Sequence, residues 1–67
     1  MSLLNEVRAD WVYPGYKVKY HGRTYRVLDV GYRATRILIA FEPLEQHRSR
    51  VVIFSFHPAD YLQLLES

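Results

Sequence analysis

Cysteine is absent from the 67 residues, which excludes disulfides and thiolate metal sites and fits a reducing compartment. Long apolar runs are absent too, and none approaches the roughly 18–20 residues that span a bilayer. Met1 to Trp11 holds Glu6, Arg8 and Asp10 where a secretory leader would place a basic stretch followed by an apolar one. A cytoplasmic protein with no membrane partner is therefore expected. A glycine-rich phosphate loop is missing, and Ser49 and Ser55 have no adjacent His-Asp context, so catalysis is not expected. His21, His47 and His57 are scattered over turn and loop positions with no i, i+4 pair, which offers a metal no converging ligands. What remains is a non-enzymatic binding module without cofactors.

A chain this short makes one domain near the lower limit for independent folding. Its core is worth only about 3–5 kcal/mol unless something else supports it. Yet 49% of the residues are apolar and 15% aromatic, far from the composition of a disordered chain. A tight core, an oligomer interface or both should follow. The net charge of +2 hides an asymmetry. Between Lys17 and Arg36 stand six basic residues and one acid, Asp29, while the flanks carry the other six acids. Such local basicity points to a polyanion or an acidic protein surface.

The central stretch is Tyr16 to Val30, which reads as two strands joined at His21-Gly22, Gly22 supplying the positive φ of a tight hairpin. Strand one is Tyr16–Tyr20, with Val18 and Tyr20 on one face and Lys17 and Lys19 on the other. Strand two, Arg23 to about Val30, changes phase: Tyr25, Val27 and Asp29 alternate against Leu28 and Val30, the mark of a bulge or sharp bend. GYRAT, residues 31–35, is expected to turn into strand three, Arg36–Phe41, with Ile37, Ile39 and Phe41 on one face and Leu38 and Ala40 on the other. Glu42-Pro43 ends it, a polar loop runs to Arg50, and Val51–Phe56 forms strand four. Strands three and four are apolar on both faces, which demands a cover from the N-terminal segment or another subunit. His57 to Asp60 reads as one tight turn and Tyr61–Leu65 as a last short strand, with a helix from Pro58 as the alternative. Residues 1–13 form an N-terminal arm or a short helix over residues 2–11, with Ser2 as N-cap and Leu3, Leu4, Val7 and Trp11 on one side.

Five strands in this order, the Pro14, Gly15 and Val18 opening, the hairpin Gly22 and the turn before a leucine-rich last strand resemble the SH3-like small barrels, including Tudor-like and KOW-like members. The resemblance covers residues 14–66 and implies a mainly β, five-stranded barrel.

Two sets of side chains are candidates for binding. Lys17, Lys19, Arg23, Arg26, Arg33 and Arg36 would contact phosphates if they share a face, with Arg48 and Arg50 extending the patch. Tyr20, Tyr25 and Tyr32 would stack on exposed bases, with Trp11, Tyr13 and Tyr16 as further aromatics that serve either stacking or packing. Tudor-like domains hold methylated cations in an aromatic cage, but a cage usually adds a carboxylate and the region has only Asp29. The expectation is nucleic-acid binding without sequence specificity, by an accessory or regulatory module. The alternative is a protein-interaction module, an adaptor or inhibitor docking on an acidic or apolar protein surface. Its interface would be Ile37, Ile39, Val51 and Ile53, which would also serve a homodimer.

Overall fold

The computed structural model describes residues 5–44 and 50–65. They form one antiparallel sheet of six strands: β1 (Asn5–Arg8), β2 (Lys17–Tyr20), β3 (Arg23–Arg33), β4 (Arg36–Pro43), β5 (Val52–Phe56) and β6 (Tyr61–Leu64). The spatial order is β1-β6-β2-β3-β4-β5, and no ladder joins β1 to β5 among the described residues. The sheet is therefore open at both edges.

The β2–β3 hairpin turns on His21 (φ 52°) and Gly22 (φ 76°), two consecutive positive-φ residues of the kind a two-residue hairpin requires. The expected phase change in β3 is a break in register between Val27 and Asp29 that leaves Leu28 unpaired with β4. Tyr25 and Val27 thereby face the core before the break, and Val30 packs against it afterwards. The strand is longer than periodicity suggests. Gly31 to Arg33 continue β3 opposite Leu38 to Arg36, so the expected GYRAT turn shrinks to Ala34-Thr35. Glycine and polar residues argued for a loop there, but ladder bonding to β4 overrides their weak strand propensity. Glu42 and Pro43 likewise extend β4 instead of ending it. Pro43 pairs with Tyr25 of β3, beyond the last β4–β5 pair at Phe41 and Val52.

The N-terminal helix does not form. Asn5–Arg8 pairs with Leu64–Tyr61 as an edge strand, followed by a single 3₁₀ turn, Ala9–Trp11. Ten residues make a marginal helix in water, whereas the exposed side of β6 offers backbone partners at once. Ala9 N–H donates to the Asp60 carbonyl at 2.8 Å, which seats the turn. Ser2, Leu3 and Leu4 lie outside the described residues, as do residues 45–49 of the polar loop. The last segment is a strand and not a helix. It is preceded by a closed turn in which Asp60 N–H donates to the His57 carbonyl at 2.9 Å and the Asp60 carboxylate accepts from His57 N–H at 2.9 Å.

Ten side chains make the core: Ala9, Val12, Val18, Tyr25, Val27, Ile37, Ile39, Phe41, Phe56 and Leu62. They come from inward positions of β2 to β6, with Ala9 of the 3₁₀ turn and Val12 just after it. Phe41 is at the centre, stacked on Tyr25 at 4.9 Å and tilted against Phe54 at 5.6 Å. Full burial of each such side chain stabilises the fold by about 1.5–3 kcal/mol. No buried polar or charged residue was found among those described.

Candidate nucleic-acid interface

The sheet has an inner face, closed over the core, and an outer face. Strand alternation assigns each expected site residue to one or the other, and the nine separate into three groups.

Lys17, Lys19 and Arg26 share the outer face. Lys17 and Arg26 are directly opposite each other in the β2–β3 ladder, and Lys19 lies two residues along, between Thr24 of β3 and Gln63 of β6. Directly opposed side chains in such a pair stand about 4.5–5.5 Å apart at Cβ. Beyond Arg26 in the same row is Glu42 of β4, whose carboxylate is 4.0 Å from the guanidinium. That is a long, partly solvated pair of small energetic weight.

Tyr20, Arg23 and Tyr25 fall in the inner phase. Tyr25 is only 7% exposed, so it packs the core and presents no face to a base. Tyr20 is half-buried against Phe54 and Phe56, at 5.0 and 5.2 Å, with His21 edge-on at 4.1 Å. Both assignments follow from β2 and β3 pairing Val18 with Tyr25 and Tyr20 with Arg23. Arg23 is exposed at the hairpin end, away from the Lys17 row.

Tyr32, Arg33 and Arg36 stand at the far end of the molecule. Arg33 and Arg36 are the closing pair of the β3–β4 hairpin. The Arg36 guanidinium is engaged, donating from Nε to the Ser55 hydroxyl at 2.9 Å. Tyr32 is 67% exposed, and its hydroxyl donates to the Asp10 carbonyl at 3.2 Å. The six expected cations therefore do not form one patch.

The structure brings in a residue that sequence reasoning passed over. Leu62 is buried, so alternation puts Tyr61 and Gln63 on the outer face, and Tyr61 is 60% exposed. With Gln63 opposite Lys19, Tyr61 lies at the level of the β2–β3 turn, diagonal to Lys19 and directly opposite Arg8 of β1. The signal was the period of YLQL once that segment is a strand. At the other end of the row, Gly15 N–H donates to the Val27 carbonyl and Val27 N–H to the Tyr16 carbonyl, both at 2.8 Å. These bonds hold Tyr16 against the core one step from Lys17 and Arg26, with Tyr13 packed edge-to-face on it at 5.8 Å. Trp11 and Tyr13 are exposed as well.

Of the expected protein interface, Ile37 and Ile39 are 1% and 0% exposed and belong to the core. Val51 and Ile53, at 53% and 66%, are on the surface. A strand apolar on both faces does not declare its inner side. Here Ile37, Ile39 and Phe41 turn inward, and the outward set is Leu38 and Ala40. Arg50 is exposed, while Arg48 lies outside the described residues. Among the described residues no three of His, Asp or Glu gather as metal ligands would, and no helix is long and apolar enough to cross a membrane. Comparison with protein-family models, curated proteins and solved structures finds no match to this chain.

Proposed function

We infer that the protein is a small, non-enzymatic module that binds nucleic acid on the outer face of β6, β2 and the first half of β3. The observation that carries this reading is the direct opposition of Lys17 and Arg26, with Lys19 on the same face. Like charges directly opposite in a sheet destabilise it, and the partly solvated Glu42 carboxylate, 4.0 Å from Arg26, offsets only part of that cost. A phosphate backbone laid across the row would relieve it. Three cations on phosphates of a single strand imply a log–log salt slope of about −2, at roughly −0.7 per contact. Tyr61 supplies the exposed ring for stacking, and such a base–aromatic contact is worth about 1–3 kcal/mol on alanine substitution. Binding through charge and stacking carries no base-edge readout, so the reading is of affinity without sequence specificity.

The same reading groups the fold with the SH3-like small barrels. In support are the meander β6-β2-β3-β4-β5, the break that bends β3, and the tight turn at His57 to Asp60 that returns the chain beside β2. β1 is then an addition to that plan.

Fluorescence-anisotropy titration with labelled single- and double-stranded oligonucleotides, at low and at moderate salt, tests the function. Saturable binding that weakens with salt is expected, with Tyr61→Ala reducing affinity for the single strand more than for the duplex. Absence of binding at micromolar protein and low salt would reject the reading and leave an acidic protein surface as the partner to seek.

A further inference from the structure

The other outer face, over the second half of β3, β4 and β5, has a different composition. Its rows are Asp29–Ala40–Ile53 and Gly31–Leu38–Ser55, taken from the ladder registers. Ile53 and the adjoining Val51 are more than half exposed. β5 is an edge strand, and from Val52 to Phe56 it has no charge and no proline, the usual devices that keep an edge from pairing with another chain. Gly31 adds an independent observation. It sits inside a strand without a positive φ, and a Cβ there would meet nothing within 4 Å. Glycine in a strand interior weakens it and often marks where another surface approaches closely. Among the described residues, neither a positive φ nor a close neighbour requires one at position 31.

Charge on this face is polar along the strands. Glu42 and Asp29 lie toward the start of β5, and Arg36 and Arg33 toward its end. The geometry points to a second copy of this chain as the occupant. The two copies pack outer face to outer face about a two-fold axis that lies between the sheets, across the strands. That operation sets β5 antiparallel over its counterpart and brings the acidic end of each copy over the basic end of the other. An axis along the strands would instead oppose like charges. Sheets stacked face to face stand about 10 Å apart, a gap that Ile53 and Leu38 fill while Gly31 and Ala40 admit close approach. An isologous contact of this kind uses one patch twice. Three short strands make a small interface, so dissociation is expected in the micromolar range or weaker.

Sedimentation equilibrium of the full chain over a wide concentration range decides the matter, with thermal melts monitoring folding. Wild type should show a reversible monomer–dimer equilibrium. Ile53→Asp, at an exposed position, should weaken it at least tenfold without lowering the melting temperature of the monomer. Arg33→Glu should weaken it several-fold, and Asp29→Arg combined with Arg33→Glu should restore it, because an axis over the Gly31–Leu38–Ser55 row sets Asp29 of each copy against Arg33 of the other, and the double exchange keeps that contact complementary. A chain that stays monomeric at millimolar concentration would overturn the proposal. So would a dimer indifferent to Ile53→Asp, or one that the paired charge exchange fails to restore, which would indicate pairing through the β5 edge instead.

Discussion

The two outer faces of one sheet differ in what their strands gave up for stability. Over β6, β2 and the start of β3, the outward positions are Tyr61, Gln63, Lys19, Lys17, Thr24 and Arg26, a polar face with like charges opposed. Over the end of β3, β4 and β5 they are Gly31, Leu38, Ala40, Ser55 and Ile53, an apolar face with its charges at the ends. The inner faces of the two halves are alike, lined by Val18, Tyr25 and Leu62 on one side and Ile37, Ile39, Phe41 and Phe56 on the other. Folding therefore accounts for the inner residues of both halves, and the outer residues of each are free to serve different partners. The faces are separated by the break at Leu28, which leaves that side chain unpaired in the ladder and partly exposed.

Substitutions that distinguish inner from outer positions test this division most severely. Phe41→Ala should destabilise the domain by about 3–5 kcal/mol, the usual cost of emptying a buried aromatic site. For a domain of this size that is comparable to the whole stability, so chemical denaturation should find the variant largely unfolded. On the apolar outer face, Ile53→Ser should leave the midpoint within about 0.5 kcal/mol of wild type, as surface changes usually do. A loss near that of Phe41→Ala would mean that Ile53 is packed and the division is misplaced.

Smaller effects separate the two hairpins. The turn at the polar end uses His21-Gly22, but the one at the apolar end places Ala34 at φ 54°. A left-handed conformation costs a non-glycine residue roughly 1–2 kcal/mol, so Ala34→Gly should raise stability by up to about 1 kcal/mol, and Gly22→Ala should lower it by a similar amount. Denaturant melts of the two variants moving in the same direction would contradict that. Smallest of all, Gly31→Val should stabilise the monomer by a few tenths of a kcal/mol up to about 1, since a strand interior favours a branched residue. A destabilised monomer would mean that position 31 is constrained within the chain itself.

Much of the fold was legible in the sequence because alternation is a local property. Tyr16 to Val30 showed the hairpin, the positive-φ glycine and the break in β3, and Ile37, Ile39 and Phe41 were grouped on one face. What local pattern does not carry is pairing. Residues 2–11 have helical spacing, yet Asn5 to Arg8 becomes a strand because the edge of β6 is available to it. Gly31 to Arg33 read as a loop, yet β4 extends far enough to hold them in register. The candidate site was legible in part for the same reason. Lys17, Lys19 and Arg26 were grouped by sequence proximity and do share a face, whereas Tyr25 and Arg36 were grouped with them and do not. The phase of a residue relative to the core depends on which side the remaining strands cover. Tyr61 was missed because its face is defined only once β6 lies against β2.

The salt dependence of oligonucleotide binding tests the central claim, that the opposed cations of the polar outer face bind phosphate. Affinity for a labelled single strand would be measured at several salt concentrations for wild type and for Lys17→Ala with Arg26→Ala. Loss of two phosphate contacts should weaken binding and flatten the log–log slope by about 1.4, at roughly 0.7 per contact, with the melting temperature held or raised. An unchanged slope in the double variant would contradict the account and remove this face from any role in binding nucleic acid.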